Sequence, residues 1–205
     1  MRKSKAVTAE TRKKIVEVAA REFRLNGIHA TGVSTIMAAA GLTHGGFFRH
    51  FSSKDQLLAE ACTASMDNFV GKTEAAAENG AEALAEHIRY LLSQEFRDDC
   101  LGGCTLVAMG SELARANQDA KKAVSDGFRQ FVDIIAKQDA TDDPSAARAD
   151  AIFKVSAMIG AVTISKMMDD RSLGDLVLDI AKERIAGPTS KPTNQRHSVA
   201  KVGKT

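Results

Sequence analysis

The first 143 residues contain no proline; the three in the chain stand at 144, 188 and 192. Proline removes a helix donor and clashes with the preceding turn, so this long stretch is free to be helical. The spacing of its apolar residues points the same way. Ile15, Ala19 and Phe23 recur every four residues, and Leu58, Cys62, Met66 and Phe69 form a second stripe. That period places side chains on one face of an α-helix. No sustained alternation of β-branched and polar residues competes with it. The expected fold class is all-α.

Glycine and short polar clusters divide the helices. Asn26-Gly27 ends a first helix over residues 9–25, for which Thr8 is the expected N-cap. Two short helices over 33–39 and 43–51 flank Ala40-Gly41-Leu42. Ser53 and Gln56 have the spacing of a capping box at the start of a helix running to 78. Further helices are expected over 81–97, 104–115, 119–137, 145–168 and 173–185. The organisation is then a basic disordered arm (1–8), a helix-turn-helix domain (9–52), a ligand-binding and dimerisation domain (53–186) and a disordered basic tail (187–205). The tail is polar and proline-containing, a composition that buries too little to fold.

Charge follows the same division. Residues 1–54 hold ten Lys/Arg against three Glu, residues 55–186 fourteen against twenty-three Asp/Glu, and the tail four against none. A basic head on an acidic body describes a polyanion binder whose body stays off the polyanion. Three cysteines, none in a CxxC pattern, fit a reducing, cytoplasmic setting rather than a disulfide framework. No apolar run reaches the roughly 18–20 residues of a membrane span.

Residues 33–58, VSTIMAAAGLTHGGFFRHFSSKDQLL, carry the most information. Ile36 and Ala40 lie four apart and face Leu42 and Phe47, a small core for two short helices meeting at Gly41. The second helix would be capped by Thr43 and would offer Thr43, His44, Gly45, Gly46, Arg49 and His50 to solvent. A recognition helix presents such N-terminal residues to base edges. This stretch resembles the TetR family of repressors. The match runs through Ile36, Met37, Ala39, Ala40, Gly41, Leu42, Thr43, Gly45, Phe47, Phe48, His50, Phe51, Ser53, Lys54, Asp55 and Leu57, with Phe23 and Gly27 upstream, and covers residues 10–60.

The resemblance implies a repressor that binds a pseudo-palindromic operator as a dimer and is released by a small ligand. It places phosphate contacts at Thr31, Ser34, His50 and Lys54, and base contacts at Thr43, His44, Gly45 and Arg49. Three departures stand out. Gly32 replaces a frequent Thr, so the side-chain cap moves to Thr31 or is lost. Phe48 replaces a Tyr, losing a hydroxyl. Gly46 puts a second glycine into the recognition helix, and two glycines cost roughly 1–2 kcal/mol of helix stability. That helix is therefore expected to be partly frayed until DNA orders it.

In the body, the helix over 145–168 is apolar on two faces. Ala157, Gly160, Ala161 and Ile164, with Leu173, Leu176 and Ile180 of the last helix, are the expected dimer interface. Met66, Phe69, Cys104, Met109, Phe128 and Met158 are the expected lining of a ligand pocket, with His87, Tyr90 and Glu112 as polar candidates. Cys100 and Cys104 flank Leu-Gly-Gly, and Cys104 would sit near a helix N-terminus, which favours thiolate. That makes the pair a candidate switch for an electrophile or oxidant, opposed by the anions Asp98 and Asp99; a buried inert thiol is the competing reading. Cys62 reads as core. An enzyme is disfavoured: HExxH, P-loop, GxSxG and dinucleotide motifs are absent, and the five His show no metal-ligand spacing with Cys. No cofactor or metal is expected. A helical scaffold protein is the other alternative, against which the basic head argues.

Overall fold

The computed structural model describes residues 5–99, 103–138 and 141–187. Cys100, residues 1–4 of the expected arm and residues 188–205 of the expected tail lie outside them. Among the described residues every regular element is helical: α1 Lys5–Asn26, α2 Val33–Ala39, a 3₁₀ helix His44–Arg49, α3 Lys54–Glu78, α4 Ala81–Leu91, α5 Gln94–Arg97, α6 Thr105–Leu113, α7 Gln118–Ala136, α8 Pro144–Met167 and α9 Arg171–Ala186. None of these helices is long and apolar enough to cross a membrane.

Local chemistry sets the ends of these helices. Gly27 adopts φ 82° and donates its N–H to the Phe23 carbonyl at 2.9 Å, closing α1 in a conformation that favours glycine. The start of α1 differs from expectation: it begins at Lys5, so residues 5–8 of the expected arm are helical. The capping box forms with a shift. Ser53 accepts from Gln56 N–H, but the Gln56 amide oxygen reaches the N–H and hydroxyl of Ser52 instead of Ser53. The single helix expected over 81–97 breaks after Leu91, because the Ser93 hydroxyl caps a separate turn, α5, through Phe96 N–H. Asp143 and Asp170 cap α8 and α9, with Pro144 in the first turn of α8, where its missing donor costs nothing.

Two apolar clusters share the interior. The first joins Ile15, Ala19 and Phe23 of α1, Ile36 and Met37 of α2, Phe47, Phe51, and Leu57 to Met66 of α3 with Met109 and Leu113 of α6 and Val124 of α7. The second joins Val70, Leu84, Ile88, Leu92, Phe131, Val155, Met158, Val162 and Leu178. The division between the two clusters falls within α3, near residue 66. The head is completed by body helices, so a shift of α6 or α7 is felt at the first core.

The most extensive helix pair is α3 with α7. At their crossing a Cβ on Gly127 would stand 2.6 Å from Met66 Cβ, which real contacts essentially never do. Gly127→Val should lower stability by about 2–3 kcal/mol in a denaturant titration. Gly110→Ala, with open space around it, should raise stability by about 0.5–1 kcal/mol through helix propensity alone.

One face stays uncovered. Phe153 (70% exposed), Ile164 and Met167 (72%) of α8 alternate by threes and fours with the half-buried Ala157 and Gly160, and Leu173, Leu176 and Ile180 of α9 continue the patch. Ala161, expected on this face, is buried in the second core, one helical step away. Ile152 of α8 is exposed as well.

Candidate DNA-binding surface and ligand cavity

The head is built around Phe47 and Phe51, stacked with ring centroids 5.6 Å apart on Ile36, Met37 and Ala40. Gly41, at φ 72°, turns the chain between α2 and the 3₁₀ helix. That helix is held by i→i+3 bonds, Gly46 N–H to Thr43 O at 3.0 Å and His50 N–H to Phe47 O at 2.8 Å. Thr43 sits at the N-cap position without a side-chain bond, so the expected cap does not form. Adjacent Gly45 and Gly46 explain the departure from α geometry, since glycine favours a regular helix least among residues other than proline. A Cβ on Gly46 would meet Met37 Cε at 3.5 Å and the Thr43 hydroxyl at 3.9 Å, both ordinary contacts. Gly46→Ala should therefore slow amide exchange over 44–50 by an amount equivalent to about 0.5–1 kcal/mol.

Thr43, His44, Gly45, Phe48 and Arg49 are all exposed on this segment, and His50 is half-buried. Phe48 is a large apolar side chain at 71% exposure. The Ser34 hydroxyl, in the first turn of α2, lies 3.0 Å from His44 Nδ1 and ties the two helices of the motif together at their exposed ends. The structure thus brings Ser34, Thr43, His44, Gly45 and Arg49 onto one surface.

Two of the residues expected at phosphate also make bonds within the chain. Thr31 is buried, and its hydroxyl donates to the carbonyls of Gly27 (2.7 Å) and Glu22 (3.2 Å); it fastens the α1–α2 connection and does not cap α2, whose N-cap Gly32 has no side-chain bond. Lys54 is half-buried, with its ammonium 2.5 Å from the Ile28 carbonyl and 5.8 Å from the centre of the Phe23 ring. Sequence reading also missed Arg12. Its guanidinium lies over the Phe51 ring, donates to the His50 carbonyl and pairs with Glu60, so α1, the 3₁₀ helix and α3 are locked together.

Glu112, expected as a pocket residue, joins body to head. From α6 its carboxylate accepts Ile28 N–H at 2.9 Å and His29 N–H at 3.0 Å, and it would contact a Cβ on Gly27 at 2.8 Å. Burial pushes this carboxyl up, but the two backbone donors and the nearby His29 and Arg115 outweigh it, and it titrates below its ordinary value. Glycine at position 27 thus serves both the turn and the close approach of Glu112.

Behind the head lies a cavity of about 540 Å³. Its walls are Lys13, Glu17, Ala20 and Arg24 of α1, Ala64, Ser65, Asn68, Phe69 and Lys72 of α3, His87, Tyr90 and Leu91 of α4, then Phe96, Asp99 and the start of α6. Arg24 Nη1 donates to the Ser65 hydroxyl at 2.8 Å, which lies 2.6 Å from the Thr105 hydroxyl. A much smaller apolar pocket, of about 20 Å³, adjoins it; Phe69, Leu91, Phe96 and Cys104 border both, and Met158 borders the smaller one. Of the expected lining residues, Phe69 and Cys104 border the cavity, and Met158 borders only the smaller adjoining pocket. Met66 and Met109 are buried in the first core, and Phe128 borders a separate cleft between α6, α7 and α8. His87 and Tyr90 do face the cavity.

Cys104 is the N-cap of α6, as expected, and its sulfur faces the backbone N–H groups of Leu106 and Val107. Burial nevertheless dominates and raises the thiol above its ordinary value, against the pull of those donors, Arg24 and Lys166. Cys62 is core, its thiol pushed up to about 12 by burial.

Comparison with known proteins agrees with this arrangement. Residues 15–61 match the family described as bacterial regulatory proteins, tetR family, and residues 80–176 match the C-terminal domain of LmrA/YxaF-like transcriptional regulators. An uncharacterized HTH-type transcriptional regulator of Mycobacterium tuberculosis is 29% identical over 178 residues, covering 81% of this chain and 89% of its own. The reduced form of Escherichia coli NemR superposes with a TM-score of 0.72 at 16% identity, over 88% of this chain and 99% of that one. AibR, solved in complex with isovaleryl coenzyme A and operator DNA, gives 0.60 at 18% identity, over 87% and 99%. With the helix-turn-helix, the all-helical body and both matched segments in place, the chain belongs to the TetR family of DNA-binding transcriptional regulators.

Proposed function

We propose that this regulator is a repressor: it binds a pseudo-palindromic operator as a homodimer and is released when a small molecule enters the cavity behind the head. The observation that carries the reading is one continuous core, from Phe47 and Phe51 under the DNA-facing turn to Met109 and Leu113 of α6. It supports the reading because α6 begins at the cavity wall with Cys104 and Thr105 and ends at the head with Glu112. A ligand that displaces the start of α6 also displaces the support of the head.

On DNA, Arg49 and His44 act as base-edge donors, Ser34 and His50 meet phosphate, and the small Thr43 and Gly45 allow close approach. Phe48 offers an apolar ring of the kind that suits a thymine methyl group. The apolar face of α8 and α9 is the dimer interface, with Phe153 and Met167 added to the residues expected from sequence and Ala161 removed. Two heads then engage half-sites about one helical turn, roughly 34–36 Å, or a multiple apart. AibR, with a ligand and an operator in one complex, is a precedent for ligand and DNA on the same fold.

Release through Cys104 is a second reading, favoured by its place on the walls of both pockets. The raised thiol weighs against it, so reversible ligand binding is the stronger of the two. Cys104→Ser should leave release by oxidants unchanged if the first reading holds alone.

The DNA reading is tested by base preference. Arg49→Ala should cost about 1–3 kcal/mol at one base position of each half-site and relax preference there. An equal loss on every sequence, removed by salt, would make Arg49 a phosphate contact instead.

A further inference from the structure

We propose that the cavity between α1, α3, α4 and the start of α6 takes an organic anion with an apolar body, its acid group facing Lys72 and Arg24 and its hydrocarbon part lying on Phe69, Leu91 and Phe96. The proposal deepens the regulator reading above and rests on it.

The charges on the walls are unevenly matched. Three cations, Lys13, Arg24 and Lys72, face the space with two carboxylates, Glu17 and Asp99. Glu17 lies one turn from Lys13, 3.9 Å from its ammonium. Asp99 lies close enough to Arg24 to stabilise its charge, yet burial wins and lowers the Arg24 pKa below its ordinary value. A desolvated guanidinium of this kind gains from a further counter-charge. Lys72 has no carboxylate within ion-pair distance among the described residues. Its field falls instead on His87, whose pKa burial and Lys72 together depress. His87 is held 3.1 Å from the Thr73 hydroxyl. An acid group on this wall would offset the desolvation of Arg24 and screen His87 from Lys72.

Part of the wall is apolar. Phe96 and Tyr90 meet edge to face at 5.5 Å, and Phe69 meets Phe131 at 5.0 Å. The small adjoining pocket is lined by Leu106, Val107, Phe131 and Val162 without a charged group. A ligand with one acid end and one hydrocarbon end matches both parts of the wall. A cation would be repelled by Lys72 and Arg24, and a neutral apolar molecule would leave the Lys72 ammonium without a carboxylate partner among the described residues.

Isothermal titration of the full-length protein with two matched pairs tests this: octanoate against octanamide, and phenylacetate against phenylacetamide. The acid of each pair should bind at least about tenfold tighter than its amide. Lys72→Gln should reduce the acid's affinity about fivefold, leave the amide unchanged and leave operator binding unchanged. Phe96→Ala should weaken acid and amide alike. Equal binding of acid and amide, or no binding of either acid at millimolar concentration, overturns the proposal. Operator binding measured on the same preparation separates the two claims. If the operator is bound and the acids are not preferred, the ligand class alone is wrong; if no operator is bound, the regulator reading itself falls.

Discussion

Replacing Ile164 and Leu176 together by Asp should give a chain that stays folded, sediments as a monomer and binds operator at least about a hundredfold more weakly. Both side chains are about half exposed in the single chain (47% and 53%), so neither substitution opens a cavity or buries a charge in the protomer. In a two-fold interface each position meets the partner, and every uncompensated buried carboxylate costs several kcal/mol. A factor of ten in dissociation corresponds to about 1.4 kcal/mol, so four such charges are ample to part the dimer. A monomer then holds one half-site and loses the avidity of the second head. Sedimentation equilibrium and operator titration read the two effects separately. Persistence of a dimer with unchanged affinity would mean that the α8–α9 face is covered by something other than a second copy.

Glu112→Ala should uncouple the head from the body. The carboxylate is the acceptor for Ile28 and His29 N–H. Ile28 is buried and His29 exposed, so one donor is stranded and the other turns to water. A stranded donor costs about 1–3 kcal/mol. Amide exchange should accelerate over 27–32, and operator affinity should become insensitive to ligand. The pH dependence has a definite sign. Because the folded carboxyl titrates below its ordinary value of 4.5, its contribution is fully present above that value and disappears as pH falls through the depressed folded value. Wild-type head stability should therefore decline on the acid side more steeply than that of Glu112→Gln, measured as exchange over the same segment. Identical acid profiles would remove Glu112 from the coupling.

Much of the head was legible because its signals are local. The four-residue spacing of Ile15, Ala19 and Phe23, the glycine at 41 and the run from Ile36 to Phe51 each specify a neighbour within a turn or two of helix. The exposed set Ser34, Thr43, His44, Gly45 and Arg49 follows from that local geometry. What escaped depends on segments far apart in sequence. Thr31 and Lys54 have the residue types of phosphate contacts, but the carbonyls they hold belong to the end of α1 and the loop after it. Arg12 bonds to the His50 carbonyl and pairs with Glu60, and Glu112 reaches across to Ile28; no helical period encodes such pairs.

The body shows the same limit. A buried Met on a helical stripe has one appearance whether it packs on core or faces a cavity, so Met66 and Met109 were indistinguishable from Met158. The cavity walls come from α1, α3, α4, α5 and the start of α6, and the polar wall, Arg24, Ser65, Asn68 and Lys72, carries no motif at all. On α8 the apolar residues lie so close around the helix that a single step separates the buried Ala161 from the half-buried Gly160, and one turn separates it from the exposed Ile164.

The central claim is sequence-specific operator binding by a two-headed regulator. Selection of bound genomic fragments by the purified full-length protein at moderate salt, read by sequencing, tests it most directly. The account predicts a few enriched sites sharing a pseudo-palindrome, with half-sites about 10 base pairs or a multiple of that apart. A folded protein that enriches no sequence would contradict it.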